Sequence, residues 1–304
     1  MSAVIETNQL TKSYGSRRGL AGLDLEVRPG EVFGFLGPNG AGKTTTIRIL
    51  VDLIRPTSGT ATVFGTEPRA GGAALRARIG YLPGDFVVNG NQSADELLTH
   101  LGHLRGRVPH ERIRTLAHRL GLDLHVRIRS LSKGNRQKVG IIQAFMHEPE
   151  LLILDEPTSG LDPLLQQTFL DLVREAKANG QAVLMSSHVL SEVQQAADRV
   201  GIIRDGRMVE VEAVESLRRR AVRRVEIHFG EPVSADAFTG LDGVTDVRVE
   251  DRVLRCRLAG RADPLVKAAA RYPVESLVVA EPDLEELFLT YYRADTEPEA
   301  TDAA

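Results

Sequence analysis

Two kinds of apolar pattern alternate along the first two thirds of the chain. Short apolar runs that end in charge, such as Leu151–Leu154, are typical of strands buried in a parallel sheet. Between them lie stretches with helical spacing, two of which open on helix-start signals, Ser93-Ala94-Asp95-Glu96 and Asp162-Pro163. The runs predict strands at 3–10, 23–28, 31–36, 60–64, 78–82, 151–154, 182–186 and 200–204.

The helical stretches predict helices at 43–53, 97–104, 110–120, 132–146 and 162–180. Strands that alternate with helices favour an α/β fold, here a mixed sheet with helices between its strands. Three of these helices fall together in 93–146, and this block is interpreted as a helical insertion into the sheet.

The pattern changes beyond residue 224. It predicts a strand at 224–229, a helix at 234–241, strands at 244–249 and 252–258, a helix at 263–271 and a strand at 274–280. This β-α-β-β-α-β order is typical of a small ferredoxin-like α+β domain. We therefore predict one domain at 1–217, with a helical subdomain at about 90–147, and a second at 222–292 that ends in a helix from Pro282 to Tyr292. The small, acidic tail at 293–304 is predicted to be disordered.

Composition narrows the class of protein. The 304 residues are 42% hydrophobic and 26% charged, and a net charge of −3 gives no reason to expect a nucleic-acid partner. A single cysteine suits a reducing compartment. No signal peptide is recognisable, and no apolar run reaches the roughly 20 residues of a membrane span. We expect a soluble, cytoplasmic chain whose role at a membrane depends on a partner.

One glycine-rich loop carries a phosphate-binding pattern. The segment Gly37-Pro38-Asn39-Gly40-Ala41-Gly42-Lys43-Thr44 matches G-x-x-x-x-G-K-[ST] between a predicted strand and a predicted helix. In such a loop, successive backbone N–H groups surround phosphate oxygens and the helix dipole adds to the attraction. We expect Lys43 to reach the β- and γ-phosphates and the Thr44 hydroxyl to bind Mg²⁺.

A pair of acids at the end of the buried strand 151–154 completes a triphosphatase pattern. Asp155 at the strand end can hold Mg²⁺, directly or through water. Glu156, one residue further on, can orient and deprotonate the attacking water. Together with the glycine-rich loop, this pair predicts hydrolysis of a nucleoside triphosphate.

The segment Leu131-Ser132-Lys133-Gly134-Asn135 indicates which kind of triphosphatase this is. It resembles the LSGGQ signature of ABC nucleotide-binding domains. Three further resemblances stand in the family's order: Tyr14 as the aromatic residue on adenine, Ser159-Gly160-Leu161-Asp162 as the D-loop, and His188 as the switch histidine. The resemblance covers about 3–217.

The resemblance implies a P-loop ABC cassette that uses ATP and Mg²⁺. It implies two cassettes packed head to tail, with each ATP between the glycine-rich loop of one and the signature of the other. The implied catalytic residues are Lys43, Glu156 and His188, and the implied metal ligands are Thr44 and Asp155. The implied nucleotide contacts are Tyr14, Gly37, Asn39, Gly40, Ala41, Gly42, Lys43, Thr44, Thr45, Ser132, Gly134 and Asp162.

The chain departs from the family pattern at a few positions. Lys133 and Asn135 stand in the signature where Gly and Gln are commonest. Gly84 stands where the family usually has a Gln that helps bind Mg²⁺ and senses the transmembrane partner. We expect water to replace that ligand, because Mg²⁺ keeps waters readily, and Asp85 to contribute little.

Among ABC cassettes the chain resembles those of ABC-2 type drug and antibiotic exporters. The resemblance depends on a single cassette without fused spans, on the variant signature, and on the ending Glu281–Phe288. It implies a motor subunit at the cytoplasmic face of the membrane, a separate permease, and a second cassette in a homodimer or heterodimer. A soluble ABC ATPase acting in translation or nucleic-acid maintenance is the alternative.

Overall fold

The computed structural model describes residues 2–15, 17–106, 108–220 and 222–280. The chain divides into two compact units, Met1–Glu212 and Ala213–Ala304. The predicted helix at 282–292 and the predicted tail lie outside the described residues. None of the described helices is long and apolar enough to cross a membrane.

The strands and helices of the first unit follow one another in an α/β order. Its strands are β1 (Ile5–Tyr14), β2 (Arg17–Val27), β3 (Val32–Leu36), β4 (Ser58–Val63), β5 (Ile79–Leu82), β6 (Leu151–Asp155), β7 (Ala182–Ser187), β8 (Arg199–Arg204) and β9 (Arg207–Ala213). Its helices are α1 (Lys43–Leu50), α2 (Pro68–Ala77), α3 (Ala94–Leu104), α4 (His110–Arg119), α5 (Lys133–Phe145), α6 (Pro163–Ala178) and α7 (Leu190–Ala196).

The strands of this unit form two sheets within the described residues. The order is β2-β1-β4 in one and β5-β6-β7-β3-β8-β9 in the other. The pairs that join β5, β6, β7, β3 and β8 are all parallel. The carboxyl ends of β3, β6 and β7 therefore meet at one edge of the sheet, which is where α/β proteins place their ligands.

The core explains why these segments are strands. Every residue of β3, β6 and β7 is buried, as expected for central strands covered on both faces. Side chains such as Phe33, Phe35 and Ile47 pack there without exposure. The helical block α3–α5 falls between β5 and β6 in the chain.

Local sequence signals decide several helix boundaries. Ser93 and Glu96 form the predicted reciprocal cap of α3, with N–O distances of 2.7 and 3.1 Å. The prediction that the helix beginning at the glycine-rich loop reaches residue 53 was wrong, because α1 ends at Leu50 and Asp52 adopts a left-handed φ of 59°. Helices α2 and α7 and strand β9 were missed; α2 contains a kink at Gly72 that breaks its helical pattern.

The second unit contains α8 (Val214–Arg220), β10 (Arg223–Phe229), β11 (Val244–Glu250), β12 (Val253–Leu258), α9 (Asp263–Ala269) and β13 (Val274–Val279). Its sheet has the order β11-β12-β10-β13, and the pairs that join these strands are antiparallel. This is the ferredoxin-like arrangement, and the predicted fold class is confirmed.

The helix predicted at 234–241 was wrong, since the segment forms only a 3-10 turn, Ala235–Ala237. Gly240 follows with a φ of 79°, which ends helical geometry, and the fully buried Phe238 anchors the turn in the core.

Candidate active site

The glycine-rich loop lies between the buried strand β3 and helix α1. Gly40 and Gly42 have φ values of 84° and 118°, which L side chains rarely adopt. A Cβ atom at Gly37 would lie 2.4 Å from the Ile203 carbonyl oxygen, so the loop also needs glycine there for close packing. Among the described residues no side chain caps the start of α1, which leaves its first N–H groups free to bind an anion.

A cleft of about 390 Å³ opens on this loop. Predicted nucleotide contacts line it together with the predicted general base: Tyr14, Asn39, Gly40, Gly42, Lys43, Thr44, Thr45 and Glu156. Pro38, from the same loop, also lines it. Tyr14 is the last residue of β1 and is 47% exposed, and the Lys12 ammonium lies over its ring at 5.3 Å from the centroid.

Gly19 and Arg48 also line the cleft, although the sequence analysis did not predict a role for either. A Cβ atom at Gly19 would lie 2.9 Å from the Tyr14 ring, so glycine on β2 leaves room for that ring. Arg48 follows Thr44 by one helical turn on α1, which places a positive charge beside the loop. The i, i+4 spacing from Thr44 could have indicated from the sequence that Arg48 lies beside the loop.

Lys43 connects the loop to the acids at the end of β6. Its side chain is only 5% exposed, and its Nζ lies 2.5 Å from the Gly37 carbonyl oxygen and 3.2 Å from Glu156 Oε1. The other carboxylate oxygen of Glu156 lies 2.6 Å from His188 Nδ1. A buried ammonium requires such partners, because desolvation without them is costly. The structure thus brings together the three predicted catalytic residues.

The second acid, Asp155, is 1% exposed at the carboxyl end of β6. Its Oδ1 accepts a hydrogen bond of 2.6 Å from the Ser186 hydroxyl, and the same hydroxyl accepts one of 3.0 Å from the Glu156 N–H. A Cβ atom at Gly84 would lie 3.3 Å from Asp155 Oδ2. A carboxylate and the Thr44 hydroxyl are hard oxygen donors, and such a set fits Mg²⁺ that keeps waters and phosphate oxygens as its other ligands.

The phenol of Tyr81 on β5 is held in its neutral form by this environment. Burial, and secondly the negative charge of Asp155, raise the pKa of Tyr81 to about 12, against the opposing effect of Arg48. The phenol therefore remains protonated throughout the physiological range, and it adds no charge beside Asp155.

The predicted signature begins helix α5. Ser132 is its exposed N-cap and accepts a hydrogen bond of 3.2 Å from the Asn135 N–H. A Cβ atom at Gly134 would lie 3.1 Å from the Gly160 carbonyl oxygen, so the first turn of α5 packs closely on the predicted D-loop. The described residues that line the cleft at the glycine-rich loop include neither Ser132 nor Gly134.

Asp162 is the N-cap of α6, as the Asp-Pro pattern predicts, and its Oδ1 accepts a hydrogen bond of 3.0 Å from the Leu165 N–H. Its predicted contact with nucleotide stays a prediction. A network missed by the sequence analysis lies nearby: Glu192 Oε2 accepts hydrogen bonds of 2.6 Å from Thr158 and 3.0 Å from Ser187. One carboxylate on α7 thereby joins the segment after Glu156 to the residue before His188.

The chain also matches known proteins in sequence. Residues 20–159 match the family model described as "ABC transporter". The chain is 38% identical over 237 residues to a bacitracin transport ATP-binding protein of Bacillus licheniformis, covering 76% of each chain. It is 36% identical over 293 residues to a daunorubicin resistance ATP-binding protein of Streptomyces coeruleorubidus, covering 91% of this chain and 92% of that protein.

Solved structures show the same fold. The ATP-binding subunit of an ABC transporter superposes with a TM-score of 0.66 at 31% identity, over 71% of this chain and 92% of that one. An ATP-binding cassette solved as a dimer with ADP and phosphate superposes with a TM-score of 0.64 at 22% identity, over 69% of this chain and 98% of that one.

Proposed function

Because the chain belongs to the ABC transporter family and is an ATPase of that family, we propose that it is the motor subunit of a drug or antibiotic exporter. In this proposal it binds ATP at the interface of a head-to-tail cassette dimer and drives a separate transmembrane permease. It then resides at the cytoplasmic face of the membrane through that permease. The observation that carries the ATPase role in this proposal is that Glu156 contacts both Lys43 and His188, while Lys43 and Glu156 line the cleft.

The cleft has the parts that hydrolysis of ATP requires. The free N–H groups of the loop and of α1, together with the Lys43 ammonium, bind the phosphates, and Tyr14 stacks on the adenine ring. Thr44 and Asp155 hold Mg²⁺, which when bound neutralises charge on the β- and γ-phosphates. Glu156 accepts a proton from the attacking water. His188 orients the Glu156 carboxylate by donating from Nδ1. Its Nε2, when it also carries a proton, donates to a γ-phosphate oxygen.

The position of a second candidate anion site supports the proposed dimer. Ser132, Gly134 and the start of α5 offer a hydroxyl and free N–H groups, and they are not part of the lining of the chain's own cleft. A second cassette turned head to tail can use them for its γ-phosphate. The γ-phosphate then holds the two cassettes together, and its hydrolysis weakens the dimer.

Two features support export over the soluble alternative. The relatives reported above are named for bacitracin transport and daunorubicin resistance, and the second is matched over nearly its whole length. Chromosome-maintenance members of the family usually carry a long coiled coil between the glycine-rich loop and the signature, whereas the described residues between Lys43 and Ser132 form the short helices α1 to α4 and no such coil. Because those two relatives are named for bacitracin transport and daunorubicin resistance, the proposed cargo is a drug or antibiotic.

The test is to recover the chain from its own cells with its partner. The variant Glu156→Gln, purified from salt-washed membranes with ATP, is expected to bring down a polytopic membrane protein in fixed stoichiometry, and cells lacking that protein should lose membrane attachment of the chain. Lys43→Ala serves as the control for attachment that does not depend on nucleotide. Recovery in the ribosomal or nucleoid fraction, with none in washed membranes, contradicts export and favours the soluble alternative.

A further inference from the structure

Ser186 is a buried polar residue at the catalytic end of the sheet. It lies on β7 directly beside Asp155 of β6 in the parallel register, and its side chain has no solvent exposure. Its hydroxyl donates to Asp155 Oδ1 at 2.6 Å and accepts from the Glu156 N–H at 3.0 Å. A single hydroxyl therefore contacts both the proposed metal ligand and the backbone of the proposed general base.

The contact with Asp155 selects one carboxylate oxygen. A carboxylate that is 1% exposed needs hydrogen-bond donors, because its charge has lost water. Ser186 supplies a donor to Oδ1, whereas Oδ2 faces the backbone of Gly84, where no side chain can compete. The hydroxyl thereby fixes the carboxylate plane and leaves Oδ2 for the metal.

The contact with Glu156 supports an unusual backbone conformation. Glu156 has a φ of 47°, in the left-handed region that residues other than glycine rarely adopt. Its N–H is held by Ser186, while its carboxylate is held by Lys43 and His188. Ser186 therefore supports the backbone turn at the residue whose carboxylate contacts Lys43 and His188.

The next residue, Ser187, has a different set of partners. Its hydroxyl donates to Glu192 Oε2 at 3.0 Å and accepts from the Val189 N–H at 2.9 Å. Two adjacent buried serines thus differ in what they hold, and only Ser186 contacts the two acids. Ser187 provides a matched control of equal size and burial.

We propose that Ser186 is a positioning residue for ATP hydrolysis, which holds the Asp155 carboxylate for Mg²⁺ and the Glu156 backbone for the attacking water. The proposal rests on the roles assigned to Asp155 and Glu156 in the proposed function. Ser186 lies outside both the glycine-rich loop and the switch histidine position.

The test compares two variants of equal shape, Ser186→Thr and Ser186→Val, since only the first keeps a hydroxyl. The affinity of the full-length protein for a fluorescent ATP analogue is measured with Mg²⁺ and with EDTA, and kcat and KM for ATP are measured separately. A hydrogen bond to a buried charged group is lost only in the Val variant. We expect Ser186→Val to reduce the gain in affinity due to Mg²⁺ about tenfold and to lower kcat, with unchanged affinity in EDTA.

Ser186→Thr should retain most of that gain, and Ser187→Ala should leave it at the wild-type value. Equal gains in the Thr and Val variants would overturn the proposal. If the branched side chains prevent folding, Ser186→Ala carries the same measurement, and a wild-type gain in that variant overturns it too. Failure of the wild type to bind ATP at all would instead refute the proposed function.

Discussion

Gly84 is the position where the chain departs most from the family pattern, and the structure shows what a side chain there would meet. An ideal Cβ atom lies 3.3 Å from both Asp155 Cγ and Oδ2 and 3.4 Å from its carbonyl oxygen. The carboxylate cannot easily retreat, because Ser186 holds its other oxygen at 2.6 Å. We therefore predict that Gly84→Ala displaces the Asp155 carboxylate by a few tenths of an ångström and impairs the metal site.

The size of the effect follows from packing. Inserting a carbon atom into a tight contact costs about 1–3 kcal/mol of folding stability. If about 1.4 kcal/mol of this strain opposes Mg²⁺ binding in the transition state, kcat/KM at limiting Mg²⁺ falls about tenfold. Gly84→Gln adds an amide oxygen that can bind Mg²⁺, but the same Cβ atom displaces Asp155. Because Mg²⁺ demands near-ideal octahedral geometry, we expect the displacement to prevail and the Gln variant to remain below wild type.

The assay is steady-state ATP hydrolysis over a range of Mg²⁺ concentrations. Asp85→Ala is the matched control, since Asp85 is exposed and forms no hydrogen bond or ion pair with the described residues. Its expected activity is that of wild type. A Gly84→Ala enzyme with wild-type Mg²⁺ dependence, or a Gly84→Gln enzyme that exceeds wild type, would refute the steric reasoning. A large loss in Asp85→Ala, rescued by Mg²⁺, would show that this acid had replaced the missing ligand.

Three other predictions concern the site and its support. Glu156→Gln should bind ATP but hydrolyse it about 10²–10⁴ times more slowly, with ATP-bound dimers persisting in light scattering, and near-normal turnover would rule out its role as general base. Ser132→Arg should bind ATP without hydrolysing it, and mixing it with Lys43→Ala should restore about one working site per dimer; no regain of activity under conditions of subunit exchange would contradict a shared site. Burial, with the nearby charge of Arg105, lowers the pKa of His147 from 6.5 to about 4. As pH falls, the His147 imidazole therefore gains a proton in the unfolded chain before it does so in the folded protein. The free energy of unfolding should drop by about 2 kcal/mol between pH 7 and pH 5. Urea unfolding of His147→Gln at both pH values should show a smaller drop in the free energy of unfolding. A drop equal to that of the wild type would contradict this cause.

The glycine-rich loop shows how far local sequence can predict a site. Its glycines, the lysine that begins α1 and the hydroxyl beside it are neighbours in the chain, so their spacing alone places them around one anion. Likewise, a buried strand that ends in Asp155 and Glu156 predicts acids at the carboxyl edge of a sheet. Both features lie where the sequence analysis expected them.

Helix and strand bounds depended on weaker signals. The segment at 234–241 has helix-forming residues, but Gly240 and the burial of Phe238 leave only a 3-10 turn. In α2, glycines obscured the pattern, and contacts with the sheets stabilise the helix all the same. Tertiary packing outweighs intrinsic propensity in such segments, because the burial of a few side chains exceeds the differences in propensity.

By itself, the sequence determined the fold class and the ATPase family, because each motif is a continuous segment with a recognisable spacing. The tertiary structure decided what surrounds those motifs. Ser186 contacts Asp155 only because β7 pairs with β6 in one particular register, although the two residues are 31 positions apart in the chain. The contact of Gly84 with the same carboxylate and the bridge made by Glu192 arise in the same way. Such contacts depend on strand order and side-chain direction, and no local spacing encodes them.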